Sequence, residues 1–231
     1  MPGLRIHPTP PPLALIHACT LGDQMEVTRL LVEEGVDVNT QTPNGTTPAH
    51  IAASMGYDSL LKELARHNVD LNIQENQDAG GFTPLHYAVE KGLAPTVALL
   101  LELGADPNIG TNDEAKARGD TGSTLGFTPL HVAARSGQAD MVQLLLSRPD
   151  TDSDKRDADG NNASYWAQQL QHDAVLRLPD MPPPAIWSFD ERRAVMDAAR
   201  AAMAAGKSEA KKGKKKGKKG GKKKGKKKKK K

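Results

Sequence analysis

One short string recurs along the chain and constrains its fold more than any other feature. Thr47-Pro48-Ala49-His50 returns as Thr83-Pro84-Leu85-His86 and as Thr128-Pro129-Leu130-His131. The threonines are spaced 36 and 45 residues apart, and each is followed nine residues later by a glycine. Such self-similarity predicts a stack of similar units, because one short unit cannot bury its apolar face alone.

Each copy of the string has the chemistry of a helix start. The threonine hydroxyl accepts an amide hydrogen bond from the first turn, and proline at the first helical position loses no hydrogen bond. In the unit that starts at Thr47, Gly56 ends this helix, and a second helix follows with Leu60, Leu61 and Leu64 on one face. Each unit is therefore predicted to be a helix–turn–helix followed by a polar turn.

The string resembles the signature of the ankyrin repeat, a unit of about 33 residues containing Thr-Pro-Leu-His-x-Ala. The resemblance covers residues 13–178 and implies an all-α solenoid of helix–loop–helix units with hairpin fingers. The first unit has Leu13 and Ala14 where Thr and Pro would be, and the last has Tyr165 in place of His, as expected of terminal caps. We expect five units, at residues 13–45, 46–81, 82–126, 127–160 and 161–178.

Four segments flank these repeats. They are a Pro-rich extension at 1–12, a Pro-rich linker at 179–187, an amphipathic helix at 188–206 and a Lys/Gly tail at 207–231. In the linker, Pro182-Pro183-Pro184 predicts an extended polyproline spacer. The helix opens with a capping box at Ser188 and Glu191. It either docks, with Trp187, on the last repeat or binds a partner.

The charge of the chain is split between two parts. The formal net charge is +4, but residues 207–231 hold 17 lysines and one acidic residue, whereas residues 1–206 hold 15 basic and 27 acidic residues. This split excludes a uniformly basic nucleic-acid-binding domain and leaves a basic tail on an acidic body. The body should favour a protein partner with a basic patch.

The tail should bind an anionic polymer without reading its sequence. Its lysines can neutralise a polyanion, but it has no aromatic residue to stack on bases, and we expect it to be disordered. Tubulin tails, nucleic-acid backbones and anionic lipids are candidates, and folding back onto the acidic body is the alternative. The predicted polyanion-binding residues are Lys211, Lys212, Lys214, Lys215, Lys216, Lys218, Lys219, Lys222, Lys223 and Lys224.

Catalytic and metal-binding patterns are absent from the sequence. His50, His86 and His131 belong to the signature, and in the family such histidines bridge loop backbones. His17, His67 and His172 have no carboxylate or second ligand at zinc spacing. Aspartates alternate over residues 150–159, but the glutamate of a calcium loop is missing. Cys19 is the only cysteine, so it can form no intrachain disulfide. We expect no enzyme activity, no cofactor and no small-molecule substrate.

Three asparagines lie in a context that resembles the target of asparaginyl hydroxylases on ankyrin repeats. Asn39, Asn72 and Asn108 each follow an aspartate at −2 and a leucine at −8. The alternative is that these side chains only satisfy backbone groups of the turns.

The resemblance implies that a protein partner lies against the fingers and the first helices. The third finger is about twelve residues too long, around 109–126, and is either tolerated length variation or a contact for the partner. The predicted protein-binding residues are Met55, Tyr87, Glu90, Lys91, Val132, Arg135, Asn112, Asp113, Glu114 and Trp187.

The sequence thus predicts a non-enzymatic scaffold whose groove holds a protein and whose tail anchors to an acidic polymer. The microtubule, including the ciliary axoneme, is the favoured polymer. The alternative is a nuclear or ribosome-associated regulator whose tail contacts nucleic acid. We expect an intracellular chain with no membrane span, because the apolar runs are too short.

Overall fold

The computed structural model describes residues 11–76, 80–112 and 125–184, and in these residues ten helices form five antiparallel pairs. The first helix of each pair is called inner and the second outer. The helices are α1 Pro11–Leu21, α2 Gln24–Val32, α3 Pro48–Met55, α4 Asp58–Arg66, α5 Pro84–Glu90, α6 Ala94–Glu102, α7 Pro129–Arg135, α8 Ala139–Leu146, α9 Ala163–Gln169 and α10 Asp173–Leu176. Inner helices contact inner helices, and outer contact outer, from one pair to the next. The predicted all-α solenoid is confirmed.

The signature residues build the start of each central inner helix. Thr47, Thr83 and Thr128 are the N-cap residues of α3, α5 and α7, and a proline occupies the first helical position of each helix. The three central inner helices are ended by glycines with left-handed backbone, with φ near +70° at Gly56, Gly92 and Gly137. A left-handed residue costs glycine little, so the chain turns sharply into the outer helix.

The core lies between the two layers of helices and continues from repeat to repeat. Leucines of the outer helices, such as Leu61 and Leu100, are fully buried. On the inner helices, Ala52, Ala88 and Ala133 are also fully buried. Because alanine side chains are small, neighbouring inner helices can approach closely. This explains how the chain fills its core with few aromatic residues.

The first helix begins two residues before residue 13, where the first unit was predicted to start. Helix α1 begins at Pro11, so the last two prolines of the predicted extension lie in its first turn, where proline is tolerated. The positions that correspond to Glu26 and Arg29 in the second repeat are Leu60 and Glu63, which are buried. In the first repeat Arg29 instead forms an ion pair with Glu26 at 2.7 Å. The positions of these two residues on α2 are therefore occupied by an ion pair rather than by buried side chains.

The proline segment, which the sequence predicted as an extended polyproline spacer, is hydrogen-bonded to the last repeat. Asn162 Nδ2 donates to the Pro183 carbonyl at 2.9 Å, and Ser164 Oγ donates to the Pro182 carbonyl at 2.5 Å. Helix α10 has only four residues. The proline segment thus hydrogen-bonds to the start of α9, on the side where a sixth finger would lie.

The chain divides by its contacts into two units, Met1–Ile186 and Trp187–Lys231. The predicted helix at 188–206, the Lys/Gly tail with its ten polyanion-binding lysines, and Trp187 all lie outside the described residues. Over the residues that the structure does describe, no helix is both long and apolar enough to cross a membrane.

Candidate protein-binding surface

Three buried histidines tie each central repeat to the next finger. Backbone N–H groups of the capping threonines donate to Nδ1 of His50, His86 and His131 at 3.1–3.2 Å. On the opposite side of each ring, Nε2 contacts a carbonyl at the start of the following repeat. These carbonyls belong to Phe82, Phe127 and Asn161, at 3.0, 2.8 and 3.1 Å.

This geometry fixes the tautomer and the charge of the three rings. Since Nδ1 accepts a backbone hydrogen bond, the ring proton lies on Nε2, which donates to the carbonyl. Burial disfavours the charged imidazolium and lowers the pKa of His86 to about 4. Burial also lowers the pKa of His50 and of His131. Both ring nitrogens are engaged, so these histidines are structural bridges rather than catalytic bases.

The fingers are short hydrogen-bonded turns that pack against each other. Thr42 N–H donates to the Thr46 carbonyl at 2.9 Å, and Asp157 N–H donates to the Asn161 carbonyl at 2.9 Å. Gly45 has φ +84°, and a Cβ placed there would lie 2.7 Å from the backbone nitrogen of Asn76. Glycine is therefore required where one finger lies directly against the next.

A ladder of aspartates and asparagines runs along the turns that follow the outer helices. The Asp70 carboxylate accepts the N–H of Asn72 at 2.9 Å, and Asn72 Oδ1 accepts the N–H of Asp106 in the next repeat at 2.8 Å. Asn39 Oδ1 accepts the N–H of Asp70 at 2.8 Å, and Asn108 Oδ1 that of Asp152 at 2.7 Å. The turn role expected as the alternative to hydroxylation is therefore present, and hydroxylation stays a prediction.

A buried carboxylate, which the sequence pattern did not predict, lies at the base of the second finger. Glu75 is 4% exposed, and its two oxygens accept hydrogen bonds from the hydroxyls of Thr46 and Tyr87, at 2.5 and 2.6 Å. Burial and the bond to this carboxylate raise the pKa of Tyr87. A glutamate in a polar finger gives no sequence signal of burial, because its partners lie 29 and 12 residues away.

Four of the predicted protein-binding residues are exposed on the inner helices or directly after them. Met55 is 53% exposed, and Glu90, Lys91 and Arg135 are also exposed near the ends of inner helices. Glu90 and Lys91 approach to 4.0 Å. The Arg135 guanidinium carbon lies 5.8 Å from the centre of the Phe127 ring, within the range of a cation–π contact.

Two of the predicted contacts are partly or fully covered by neighbouring residues, and three cannot be placed. Val132 is only 8% exposed, because its short side chain lies on α7, which packs between α5 and α9. Asn112 is half-buried against Gly81, where a Cβ would overlap its side-chain oxygen. Asp113, Glu114 and Trp187 lie outside the described residues. Tyr87, engaged with Glu75, remains half-buried.

The other candidate chemical groups have structural partners. In the aspartate-rich loop, Asp157 accepts hydrogen bonds from Trp166 Nε1 at 2.7 Å and from the N–H of Asn161 at 2.9 Å. The part of the chain that the structure describes contains no cluster of three potential metal ligands. Burial raises the pKa of the Cys19 thiol to about 12, which leaves it an inert thiol at neutral pH. Against the sequence expectation, His67 has a carboxylate neighbour, Glu63, at 3.6 Å.

The stacked helix pairs, bridged fingers and repeated caps define a solenoid repeat protein. A family model described as "Ankyrin repeats (3 copies)" matches residues 14–111 and again 112–180. The chain belongs to the ankyrin repeat family.

Curated relatives are similar only over part of their length. Alpha-latrotoxin-Lh1a of Latrodectus hasselti is 38% identical over 78 residues, which are 33% of this chain and 6% of the toxin. BCL-6 corepressor-like protein 1 of Homo sapiens is 36% identical over 97 residues, 42% of this chain and 5% of that protein. The chain thus spans a small fraction of these relatives, and the similarity is that of the repeats.

Proposed function

We propose that the chain is a non-enzymatic adaptor that binds a protein partner across its inner helices and fingers. One observation carries this proposal. Met55, Lys91 and Arg135 are exposed near the ends of successive inner helices, and the histidine bridges tie the fingers beside those helices together. A partner can therefore meet several repeats as one prearranged surface, which lowers the entropy cost of binding.

The polarity of this surface is mixed, as in recognition surfaces generally. Met55 supplies an apolar contact, and Glu90, Lys91 and Arg135 supply charges that set orientation and association rate more than affinity. Tyr87 is half-buried, and its hydroxyl donates to Glu75 at 2.6 Å. Asp113, Glu114 and Trp187 remain part of the proposal on sequence grounds.

Replacing Glu90 by a photo-crosslinking residue tests whether the partner binds at the inner helices. The same replacement at Lys62 is the matched control. Lys62 is also exposed but lies on the outer helix α4. In cells that express the full chain, we expect discrete crosslinked products from position 90 and none of the same products from position 62. Equal products from both positions would show that the inner helices are not the binding surface.

We further propose that the lysine tail anchors the complex to an acidic polymer, with the microtubule favoured and an intracellular, cytoskeletal location implied. The support is the charge split between 17 lysines after residue 206 and an excess of acidic residues before it. Lysine contacts of this kind release counterions, so binding should weaken steeply with salt.

Co-sedimentation with microtubules and with RNA, repeated across salt concentrations, separates the two polymers. The full chain, a 1–206 truncation and a full chain with tail lysines changed to glutamine are compared. We expect only the unmodified chain to pellet with microtubules at low salt. If the truncation pellets equally well, the tail is not the anchor. Tail-dependent binding to RNA alone would favour the nuclear or ribosomal alternative.

A further inference from the structure

The exposed apolar side chains are concentrated at one end of the solenoid. Among the described residues, six large apolar side chains are about half or more exposed, and five of them lie in the first two repeats. They are Leu13 at 53%, Leu21 at 66%, Met25 at 83%, Val32 at 64%, Met55 at 53% and, in the fifth repeat, Leu170 at 48%.

Three of these side chains surround the first two turns between inner and outer helices. Leu21 and Met55 end α1 and α3, each directly before a left-handed glycine. These helices pack together, so the two turns are neighbours at about the 8–10 Å spacing of packed helices. The ring of Tyr57 covers Gly22, where a Cβ would lie 3.1 Å from the ring. Leu21, Met25, Met55 and Tyr57 together are called the turn patch.

The surroundings of the turn patch are acidic. Asp23 and Asp58 lie at the starts of α2 and α4, beside the two turns. Residues 11–66, which include the whole patch, contain seven carboxylates and three basic residues, Arg29, Lys62 and Arg66. Arg29 already forms ion pairs with Glu26 and Glu34, both at 2.7 Å. A cationic group approaching the patch would therefore meet a negative field that is not locally neutralised by Arg29.

We propose that the turn patch is an anchor site for the protein partner, and that the partner presents one apolar side chain flanked by lysine or arginine. This inference rests on the proposed adaptor function and names the chemistry of its partner. Methionine side chains are flexible and polarisable, so they adapt to apolar groups of different shape. The apolar side chain supplies the buried contact, and the basic flanks complement the carboxylates.

Selection of a displayed library of random peptides on the full-length chain tests this chemistry directly. We expect the enriched peptides to share an aliphatic or aromatic residue with lysine or arginine beside it. A synthetic copy of the most enriched peptide should lose at least about tenfold in affinity on a Leu21→Lys, Met25→Lys double variant. Leu170→Lys is the matched control, since Leu170 is a similarly exposed leucine at the end of α9, and it should retain the affinity within about twofold.

Methyl NMR locates the bound peptide without any substitution in the patch. The Met25 and Met55 methyl signals should shift on titration, whereas Met141, which is 3% exposed, should not. Enriched peptides that lack an apolar residue, or an unchanged affinity on the double variant, would overturn the proposal. So would a self-associating chain that the double variant converts to a monomer, because the patch would then be covered by a second copy.

An Arg135→Glu variant separates this inference from the adaptor function on which it rests. Arg135 belongs to the proposed partner surface but lies on α7, outside the turn patch. If this variant loses peptide binding and the patch variant does not, the adaptor function stands and the anchor site is wrong. If neither variant changes binding and the position-90 crosslink is also absent, both are wrong.

Discussion

Acid should unfold this solenoid through its buried histidines before most carboxylates are protonated. His86 is fully buried, with Nδ1 accepting the Thr83 N–H at 3.2 Å and Nε2 donating to the Phe127 carbonyl at 2.8 Å. Its pKa falls from 6.5 to about 4 in the folded chain. Between these values, the unfolded chain binds a proton that the folded chain does not bind. The free energy of unfolding therefore decreases as the pH falls from about 6.5 towards 4.

The size of this effect follows from proton linkage. At pH 5, the unfolded histidine is almost entirely protonated and the folded one is mostly neutral, so His86 alone lowers the stability by about 2 kcal/mol. Burial lowers the pKa of His50 and His131 as well, and their effects have the same sign. A small domain is stable by only about 5–15 kcal/mol in total, so the loss should be readily measured.

Urea unfolding of the full chain at several pH values between 7.5 and 5 measures the predicted loss. A His86→Gln variant should be less stable at pH 7.5 but should lose about 2 kcal/mol less than the unmodified chain as the pH falls to 5. His17→Gln removes an exposed histidine and serves as the control for losing a titratable group. If His86→Gln shows the same pH dependence as the unmodified chain, the reasoning is refuted. Nitrogen NMR of the His86 ring gives an independent check, because the neutral Nε2–H form should persist at pH 5.

Three further predictions concern the links between repeats. Gly45→Ala should destabilise the chain by more than about 2 kcal/mol in urea unfolding, because a Cβ would collide with the Asn76 backbone. The control Gly35→Ala, at a left-handed glycine in open space, should cost only about 1 kcal/mol. Equal costs for the two variants would contradict the close packing of the fingers. Ser164→Ala should speed amide hydrogen exchange around α9 and α10 and lower the free energy of unfolding by about 1 kcal/mol. The control Ser147→Ala loses a hydrogen bond only to its own helix and should not change hydrogen exchange around α9 and α10. Treatment with an asparaginyl hydroxylase should add one oxygen atom first at Asn72, because Asn72 is the exposed member of the three asparagines. Mass spectrometry of tryptic peptides measures this addition. A chain that stays unmodified would leave Asn39, Asn72 and Asn108 with the turn role alone.

The starts of the central helices could be predicted from the sequence because capping is local chemistry. Threonine, proline and histidine within four residues determine where α3, α5 and α7 begin, and the structure places these helices at Pro48, Pro84 and Pro129. The left-handed glycine nine residues after each threonine determines where the inner helix ends. No long-range information is needed for either signal.

The contacts of the surface could not be predicted in the same way, because they depend on residues from other repeats. Tyr87 and Val132 hold the same position in successive repeats, yet the tyrosine reaches Glu75 and stays half-exposed, whereas the shorter valine is covered. Asn112 is in a predicted finger, but it packs against Gly81 of the preceding one. A repeat pattern gives the position of a residue in its unit, and the neighbouring unit decides whether that position is exposed.

The same signature residues also explain why the stack ends where it does. In the central repeats, His50, His86 and His131 each donate a hydrogen bond to the next repeat. The fifth repeat has Tyr165 at this position, and Asn162 and Ser164 donate instead to carbonyls of the proline segment. A sixth finger would have to displace those bonds. The hydrogen bonds that a further finger would make to the fifth repeat are therefore made by the proline segment.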